Sequence, residues 1–160
     1  MTYYDEISKG YEELHKEEQL KKVGLIKSII KINPGNKLLD VGCGTGLTTE
    51  PWNCRRYGID PASRLIARAR QKHRIEYKVA PAENIPYPDN YFDWVISITA
   101  IQNFEDIEKG LKEIRRVGKG RFVLTALKRS RKIERICGLI YRYFNIREEI
   151  EEDKDLIFIA

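Results

Sequence analysis

The chain of 160 residues contains few of the residues on which structural metal sites and disulfide frameworks depend. Its three cysteines, Cys43, Cys54 and Cys137, lie far apart and form no CxxC pair. This spacing argues against a structural zinc site and against a network of disulfides. We therefore expect no bound metal and a reducing, cytoplasmic location.

Long apolar segments are also lacking. No apolar run approaches the roughly 20 residues that a membrane-spanning helix needs, so we expect no transmembrane segment. The N-terminal sequence MTYYDEISKG has no basic stretch leading into an apolar one, and we expect no signal peptide. Without repeats, low-complexity tracts or linkers, the sequence predicts a single domain over residues 1–160.

Charged residues, in contrast, are abundant at 33%, and Lys and Arg outnumber Asp and Glu by 29 to 24. The net charge of +5 is compatible with a polyanionic partner but does not require one. Isoleucine is common and glutamine occurs only three times, which together with the dense charge is typical of a protein from a thermophile. Composition alone does not indicate a reaction.

The pattern of apolar residues alternates between strands and helices. A helix is predicted over residues 5–32, where Asn33-Pro34-Gly35 ends the run. Strands are predicted over residues 37–41, 56–59, 75–79, 92–98 and 121–126, helices over 62–71, 105–117 and 131–144, and a hairpin over 146–152 and 156–159. This order predicts a doubly wound α/β domain, whose mostly parallel sheet ends in an antiparallel strand.

A glycine-rich turn, DVGCGTG at residues 40–46, follows the first strand directly. Ligands bind at the carboxyl ends of strands in such sheets, and glycines let the backbone approach them closely. The spacing G-x-G-x-G differs from that of pyrophosphate binders, and the Asp40 carboxylate favours a positively charged ligand. Asp60 closes the second strand, where it is placed to accept hydrogen bonds from both ribose hydroxyls. The alternative is a structural turn with Asp60 as a helix cap.

Four successive segments resemble motifs of the class I S-adenosylmethionine-dependent methyltransferases. They are DVGCGTG (residues 40–46), GIDPAS (58–63), AENIPYP (82–88) and DNYFDWV (89–95). The nearest likeness is to the branch that includes ubiquinone/menaquinone methyltransferases and many RNA methyltransferases. The resemblance implies S-adenosylmethionine as the cofactor and a Rossmann-like fold with a seven-stranded sheet. It also implies a helical lid over residues 1–33 and a sheet core over residues 37–160.

The same resemblance implies the residues that would hold the cofactor. Those near the methionine moiety would include Asp40, Gly42 and Gly44, while Asp60 would hold the ribose. The full predicted cofactor-binding set is Tyr11, Asp40, Gly42, Cys43, Gly44, Asp60, Pro61, Ala82, Glu83 and Thr99, in which Pro61, Ala82 and Glu83 lie on the adenine side. Tyr11, or Tyr4, would fold over the cofactor or serve only in packing.

Two departures from the pattern of this branch change these expectations. Pro81 stands where an aspartate is common, so recognition of the adenine amino group passes to Glu83 or to the backbone. The stretch between the first two strands is short and contains Pro51, so its helix is expected to have only one or two turns.

The methyl acceptor is expected beyond the fourth strand, at SITAIQNF (residues 97–104). The segment has no Asn/Asp-Pro-Pro-aromatic tetrapeptide, which argues against methylation of an exocyclic amino group, and it contains no histidine base. Gln102 and Asn103 remain as predicted catalytic groups, although Asn103 would equally suit a helix N-cap. The segment is similar to that of the eukaryotic small-subunit ribosomal RNA guanine-N7 methyltransferases.

Basic residues are concentrated after the fifth strand, with nine Lys or Arg against one acid over residues 118–147. Five of them follow the carboxyl end of the strand and are predicted to bind RNA phosphates: Lys128, Arg129, Arg131, Lys132 and Arg135. A second basic stretch lies between Arg64 and Arg74. The alternative is that both are solvated helix faces, compensated by the acids of residues 148–155.

The predicted core contains no insertion large enough to enclose a small substrate, so we expect a large substrate or a partner to close the site. The related ribosomal RNA enzymes work with a small zinc-binding activator, and the resemblance implies such a partner along Ile75–Val79, the expected edge strand. Glu76 and Lys78 would equally protect a free edge.

These observations predict a methyltransferase that modifies a base, most plausibly guanine, in ribosomal or transfer RNA. One alternative is a small-molecule methyltransferase acting on a quinone or phenol. Another, of a different class, is a non-catalytic subunit that binds the cofactor or a partner.

Overall fold

The computed structural model describes residues 3–71 and 74–160, with side chains from Gly10 onward except that of Tyr11. The chain divides into two compact units, residues 1–31 and 32–160. The first contains helix α1 (Tyr3–Lys27), which ends earlier than predicted because the Ser28 hydroxyl donates to the Leu25 carbonyl at 2.6 Å and the chain begins to turn. The side chains of Tyr4 and Tyr11 lie outside the described residues, and a lid role for this segment stays a prediction.

The second unit is built on a seven-stranded sheet with the order β3-β2-β1-β4-β5-β7-β6. The strands are β1 (Lys37–Val41), β2 (Arg55–Asp60), β3 (Ile75–Val79), β4 (Trp94–Ser97), β5 (Phe122–Leu127), β6 (Glu148–Glu151) and β7 (Asp155–Ile159). The first five are parallel, and β7 pairs antiparallel with both β5 and β6. The predicted mostly parallel sheet with its antiparallel C-terminal strand is confirmed. Strand order reverses at β1 and β4, whose carboxyl ends therefore border the binding crevice.

Helices cover the sheet with their apolar stripes. They are α2 (Ser63–Ala69), a 3-10 helix (Ile101–Asn103), α3 (Ile107–Val117) and α4 (Ile133–Tyr143). In α3, the buried residues Ile107, Leu111 and Ile114 recur at helical spacing, so one face joins the core. The central strands read as nearly continuous apolar runs because they are buried on both faces. Within the described ranges, no helix is long and apolar enough to cross a membrane.

One local prediction is wrong, and one alternative is excluded. Residues 44–51 form a series of turns and not the predicted short helix, since the hydroxyls of Thr48 and Thr49 both donate to Asp40 and tie this segment to β1. Helix α3 begins at Ile107 because the Asp106 side chain accepts a hydrogen bond from the Lys109 amide at 3.1 Å. Asp106 is thus the N-cap, which excludes that role for Asn103.

Arg116 on α3 fastens the segment between β3 and β4. Its guanidinium donates to the carbonyls of Ile85 and Tyr87, each at 2.9 Å, and pairs with the Glu113 carboxylate. Glu113 also accepts a hydrogen bond from the Ile85 amide at 3.1 Å. Since this segment carries Ala82 and Glu83, two of the three predicted adenine-side residues, α3 holds that part of the site in place.

Replacing Arg116 with methionine is expected to lower the free energy of unfolding by about 2–3 kcal/mol, because two carbonyls lose a charged donor and Glu113 loses its partner. Urea denaturation measures the change. The matched control is Arg115→Met, which alters an exposed neighbour on the same helix and is expected to change stability by less than about 0.5 kcal/mol. Equal losses in the two variants would contradict the fastening role.

Candidate active site

In the glycine-rich turn after β1, two glycines are crowded by neighbouring side chains and the third faces open space. Gly42, Gly44 and Gly46 all have positive φ angles, of 79°, 55° and 92°. A Cβ added at Gly42 would lie 2.5 Å from the Ala100 Cβ, and one at Gly46 would overlap the Tyr77 hydroxyl. A Cβ at Gly44 would meet nothing within 4 Å. The turn therefore leaves room for a ligand beside Gly44.

Asp60, at the end of β2, joins this turn directly. The Gly44 amide donates to its Oδ2 at 3.0 Å, and the Ala62 amide donates to its Oδ1 at 2.9 Å. The turn is also anchored by the amides of Gly42 and Cys43, which both donate to the Ile59 carbonyl. Each carboxylate oxygen of Asp60 keeps a lone pair with which it would accept a ribose hydroxyl. The predicted neighbours Gly44 and Asp60 are thus brought together.

Asp40 is a fully buried carboxylate at the end of β1. Its Oδ2 accepts the hydroxyls of Thr48 and Thr49 at 2.7 and 2.8 Å, while its Oδ1 has no hydrogen-bond partner among the described residues. Burial raises the pKa of this carboxyl to about 6, the two hydroxyls oppose that shift, and nearby Asp60 adds to it. A buried anion with an unsatisfied oxygen fits a cofactor that brings positive charge.

The segment after β4 presents Gln102 at the carboxyl edge of the sheet. Its Nε2 donates to the Thr99 carbonyl at 2.9 Å, while its Oε1 is buried without a hydrogen-bond partner among the described residues. Thr99 has a positive φ of 54°, and its hydroxyl donates to the buried Asp155. Asn103 is exposed at the end of the 3-10 helix. Gln102 is therefore oriented by the fold, whereas Asn103 faces solvent.

The remaining predicted cofactor residues are arranged in different ways. Glu83 accepts a hydrogen bond from the Asp106 amide at 2.9 Å, so one of its oxygens is engaged by the start of α3. Ala82 is buried in the core and Pro61 is exposed. The Cys43 side chain is buried, and burial raises the pKa of its thiol, which keeps it protonated. A contact from Cys43 to the cofactor would use its backbone.

The basic residues after β5 reach the same edge as Gln102. The Lys132 ammonium donates to the Gln102 carbonyl at 3.3 Å. Lys128 is paired with Glu151 at 3.1 Å, so the β6–β7 hairpin neutralises it. We call the remaining exposed cations the cationic rim: Arg129, Arg131, Lys132 and Arg135. The rim lies next to the segment expected to receive the methyl group.

Asp40 with the glycine-rich turn of residues 42–46 (the acid–glycine turn), Asp60 at the end of β2 and the sheet order together match the arrangement of a class I S-adenosylmethionine-dependent methyltransferase. In residues 3–71 and 74–160, no group of three or more His, Cys, Asp or Glu is arranged to hold a metal ion. The methyltransferase domain family matches residues 39–124, and the chain belongs to this family.

A curated relative extends the likeness over most of the chain. The ubiquinone/menaquinone biosynthesis C-methyltransferase UbiE of Geobacter sulfurreducens is 32% identical over 133 residues, which cover 74% of this chain and 51% of the relative. The chain spans about half the length of this and several other curated relatives that it matches.

Solved structures show the same fold. The PH0226 protein of Pyrococcus horikoshii matches with a TM-score of 0.75 and 21% identity, over 92% of this chain and 90% of that one. A putative methyltransferase of Haloferax volcanii, in complex with the Trm112 methyltransferase activator, matches with a TM-score of 0.65 and 20% identity, over 74% of this chain and 57% of that one. At these identities the likeness concerns the fold alone.

Proposed function

We propose that the chain binds S-adenosylmethionine at the acid–glycine turn and transfers its methyl group to a base in RNA. The observation that carries the substrate assignment is the cationic rim, which lies beside Gln102 and is connected to it through Lys132. Exposed Lys and Arg at this edge would neutralise phosphates and hold a polynucleotide with a base in the crevice.

The residues of the site would mainly bind and align the two reactants. Asp40 would favour the positive charge of the cofactor, Asp60 would accept its ribose hydroxyls, and Gln102 Oε1 would accept an N–H from the base. When bound, the cofactor would supply a sulfonium methyl group: a nitrogen lone pair of the base would attack the methyl carbon in line, the C–S bond would break, and the sulfur would keep the bonding electrons and leave as the neutral thioether S-adenosylhomocysteine. Such a nitrogen is already nucleophilic, so alignment contributes more than a general base.

Calorimetry with S-adenosylmethionine, followed by transfer of a tritiated methyl group to total RNA from the source organism, tests the proposal. We expect binding, and label in RNA. Binding with label only in phenolic acceptors would overturn the RNA assignment and leave the cofactor assignment intact. Absence of binding, with and without candidate partner proteins, would overturn both and favour the non-catalytic alternative.

Reversing two charges of the rim, in Arg129→Glu/Arg131→Glu, is expected to weaken RNA binding about 10-fold or more and to leave the cofactor affinity unchanged. The matched control is Arg55→Glu/Arg115→Glu, which makes the same charge change at exposed residues near the amino ends of the strands. Filter binding at several salt concentrations measures both. An equal effect of the two double variants would show that only net charge matters.

A quinone or phenol remains the second candidate acceptor, favoured by the likeness to UbiE. This candidate requires turnover with a phenolic substrate and no salt-dependent affinity for RNA. The two functions therefore differ in the slope of affinity against salt as well as in the acceptor.

A partner protein would suit the free edge of β3. The strand is the terminal one of the sheet, and its last residue, Val79, is 48% exposed. The Haloferax methyltransferase of the same fold is bound to an activator. We include in the proposal a small activator that adds a strand to Ile75–Val79, with alternating Glu76 and Lys78 restricting which partners bind.

A further inference from the structure

Thr99 has a backbone conformation that its side chain does not favour. Its φ of 54° lies in the left-handed region, where a β-branched residue is strained. Such residues persist only where the surroundings hold them, and they cluster at functional sites. Thr99 lies in the acceptor segment, so the contacts that hold it bear on methyl transfer.

Thr99, Thr125 and Asp155 are joined by three hydrogen bonds, two of which involve Thr99. Its amide donates to the Thr125 hydroxyl at 2.7 Å, and its own hydroxyl donates to Asp155 Oδ2 at 2.6 Å. The Thr125 hydroxyl donates to the same Asp155 oxygen at 2.9 Å. The Thr99 hydroxyl therefore bonds directly to this carboxylate oxygen, and the Thr99 amide is linked to it through the Thr125 hydroxyl.

Asp155 reaches this position through the antiparallel β7. It is the first residue of that strand, lies opposite Leu127 at the carboxyl end of β5, and is completely buried. In a parallel strand, the first residue would lie at the opposite edge of the sheet. The antiparallel direction of β7 thus places the Asp155 carboxylate next to residues 97–104, the acceptor segment, although Asp155 is more than fifty residues away in sequence.

The residues that follow Thr99 contact both halves of the site. A Cβ at Gly42 would lie only 2.5 Å from the Ala100 Cβ, so Ala100 is packed against the acid–glycine turn. The Gln102 side-chain Nε2 donates to the Thr99 carbonyl at 2.9 Å. A shift of Thr99 would therefore move the predicted acceptor-binding group relative to the cofactor.

We propose that Asp155 is a positioning residue that holds Thr99 in its left-handed conformation and thereby aligns Gln102 with the methyl group. The proposal rests on the proposed methyl transfer but not on the identity of the acceptor. If position 99 served only to turn the chain, a glycine would suffice, because glycine adopts a positive φ without strain. Here a threonine is held instead by a buried acid.

The first experiment measures hydrogen exchange of the amides of residues 99–103 in the cofactor-bound chain. In Asp155→Asn and Thr125→Val, these amides are expected to exchange about 10-fold faster or more, because the Thr99 contacts weaken. Exchange at residues 42–46 and the dissociation constant for S-adenosylmethionine are expected to stay within about threefold. The control is Asp153→Asn, which removes an exposed acid from the same hairpin. Unchanged exchange in Asp155→Asn, or equal acceleration across β1 and β2, would overturn the proposal.

The second experiment uses single-turnover methyl transfer with the cofactor saturating. Asp155→Asn is expected to lower the transfer rate about 10-fold or more, because misalignment by a fraction of an ångström slows an in-line displacement. In a Thr99→Gly background, adding Asp155→Asn is expected to cost less than about twofold, since glycine does not need the acid. Equal losses in both backgrounds would overturn the positioning role. Failure of the wild-type chain to label any acceptor would reject the proposed function, and the exchange data would still decide the role of Asp155.

Discussion

Replacing Asp40 with asparagine is expected to weaken S-adenosylmethionine binding by about 100-fold and, at the same time, to stabilise the cofactor-free chain at pH 7.5. The affinity falls because the variant has no charge opposite the cationic cofactor. The stability rises because the wild-type chain keeps a carboxylate fully buried, with one oxygen unsatisfied among the described residues.

The sign of the stability change follows from the direction of the pKa shift. Burial raises the pKa of Asp40 from 3.8 to about 6, so the folded chain binds its proton more tightly than the unfolded chain. The stability that this proton provides is complete below the unfolded pKa and is lost as the pH rises through 6. The shift corresponds to a cost of about 3 kcal/mol for keeping the buried carboxylate ionised, and Asp40→Asn avoids this cost. The asparagine side chain buries an unsatisfied N–H instead, which offsets part of the gain. We expect a net gain of about 1–2 kcal/mol.

Urea denaturation at pH 7.5 and pH 5 measures this gain, which is expected to be about 1.4 kcal/mol smaller at the lower pH, where the folded carboxyl is protonated but the unfolded one is still ionised. Calorimetry over the same range measures a second consequence: wild-type affinity for the cofactor falls about 10-fold per pH unit below 6, whereas that of Asp40→Asn stays flat. A variant that is less stable than the wild type by the same amount at both pH values would contradict the assigned cost of the buried charge.

The second large effect is expected from Gly44→Ala. The added methyl group would enter the open space beside the turn, where a Cβ meets no protein atom within 4 Å. If the cofactor occupies that space, its affinity falls about 100-fold or more, because the methyl group and the ligand compete for the same volume. The folded chain itself is expected to lose only about 1 kcal/mol, for an alanine at a φ of 55°.

Gly120→Ala is the matched control for this substitution. Gly120 also has a positive φ, of 122°, and a Cβ there also meets nothing within 4 Å, but it lies before β5, near the amino ends of the strands. Gly120→Ala is expected to lose at least as much stability as Gly44→Ala and to keep the wild-type affinity for the cofactor. Calorimetry and thermal unfolding of both variants separate the two effects. Normal affinity in Gly44→Ala would place the cofactor elsewhere.

The placement of the predicted cofactor residues could be predicted because its signals are local in sequence. Asp40 and Asp60 lie at the carboxyl ends of β1 and β2, and the glycines follow β1 directly. The apolar run of each strand marks its end, and parallel strands end at the same edge. The hydrogen bond from the Gly44 amide to Asp60 joins residues at the predicted strand ends. The positions of β1 and β3 were predicted to the residue for the same reason.

The acceptor side was less predictable because it depends on pairing between distant strands. Asp155 reads as a turn residue in the sequence, and only the antiparallel insertion of β7 beside β5 places it against Thr99. The same hairpin brings Glu151 to Lys128, which removes one predicted RNA-binding cation from the exposed set. The identity of the α3 cap was missed because Asn103 and Asp106 both suit an N-cap, and only the backbone geometry selects Asp106.

The insertion of β7 between β5 and β6 also has a consequence for the order of assembly. Strands β1 to β3 lie within residues 37–79, so the cofactor turn and Asp60 depend on contacts that close early along the chain. The β6–β7 hairpin joins residues that are close in sequence, but Asp155 reaches Thr99 only when that hairpin docks on β5. We expect the folding chain to acquire its cofactor turn before its acceptor segment is fixed, so that a partly folded state would hold the methyl donor without a defined place for the base.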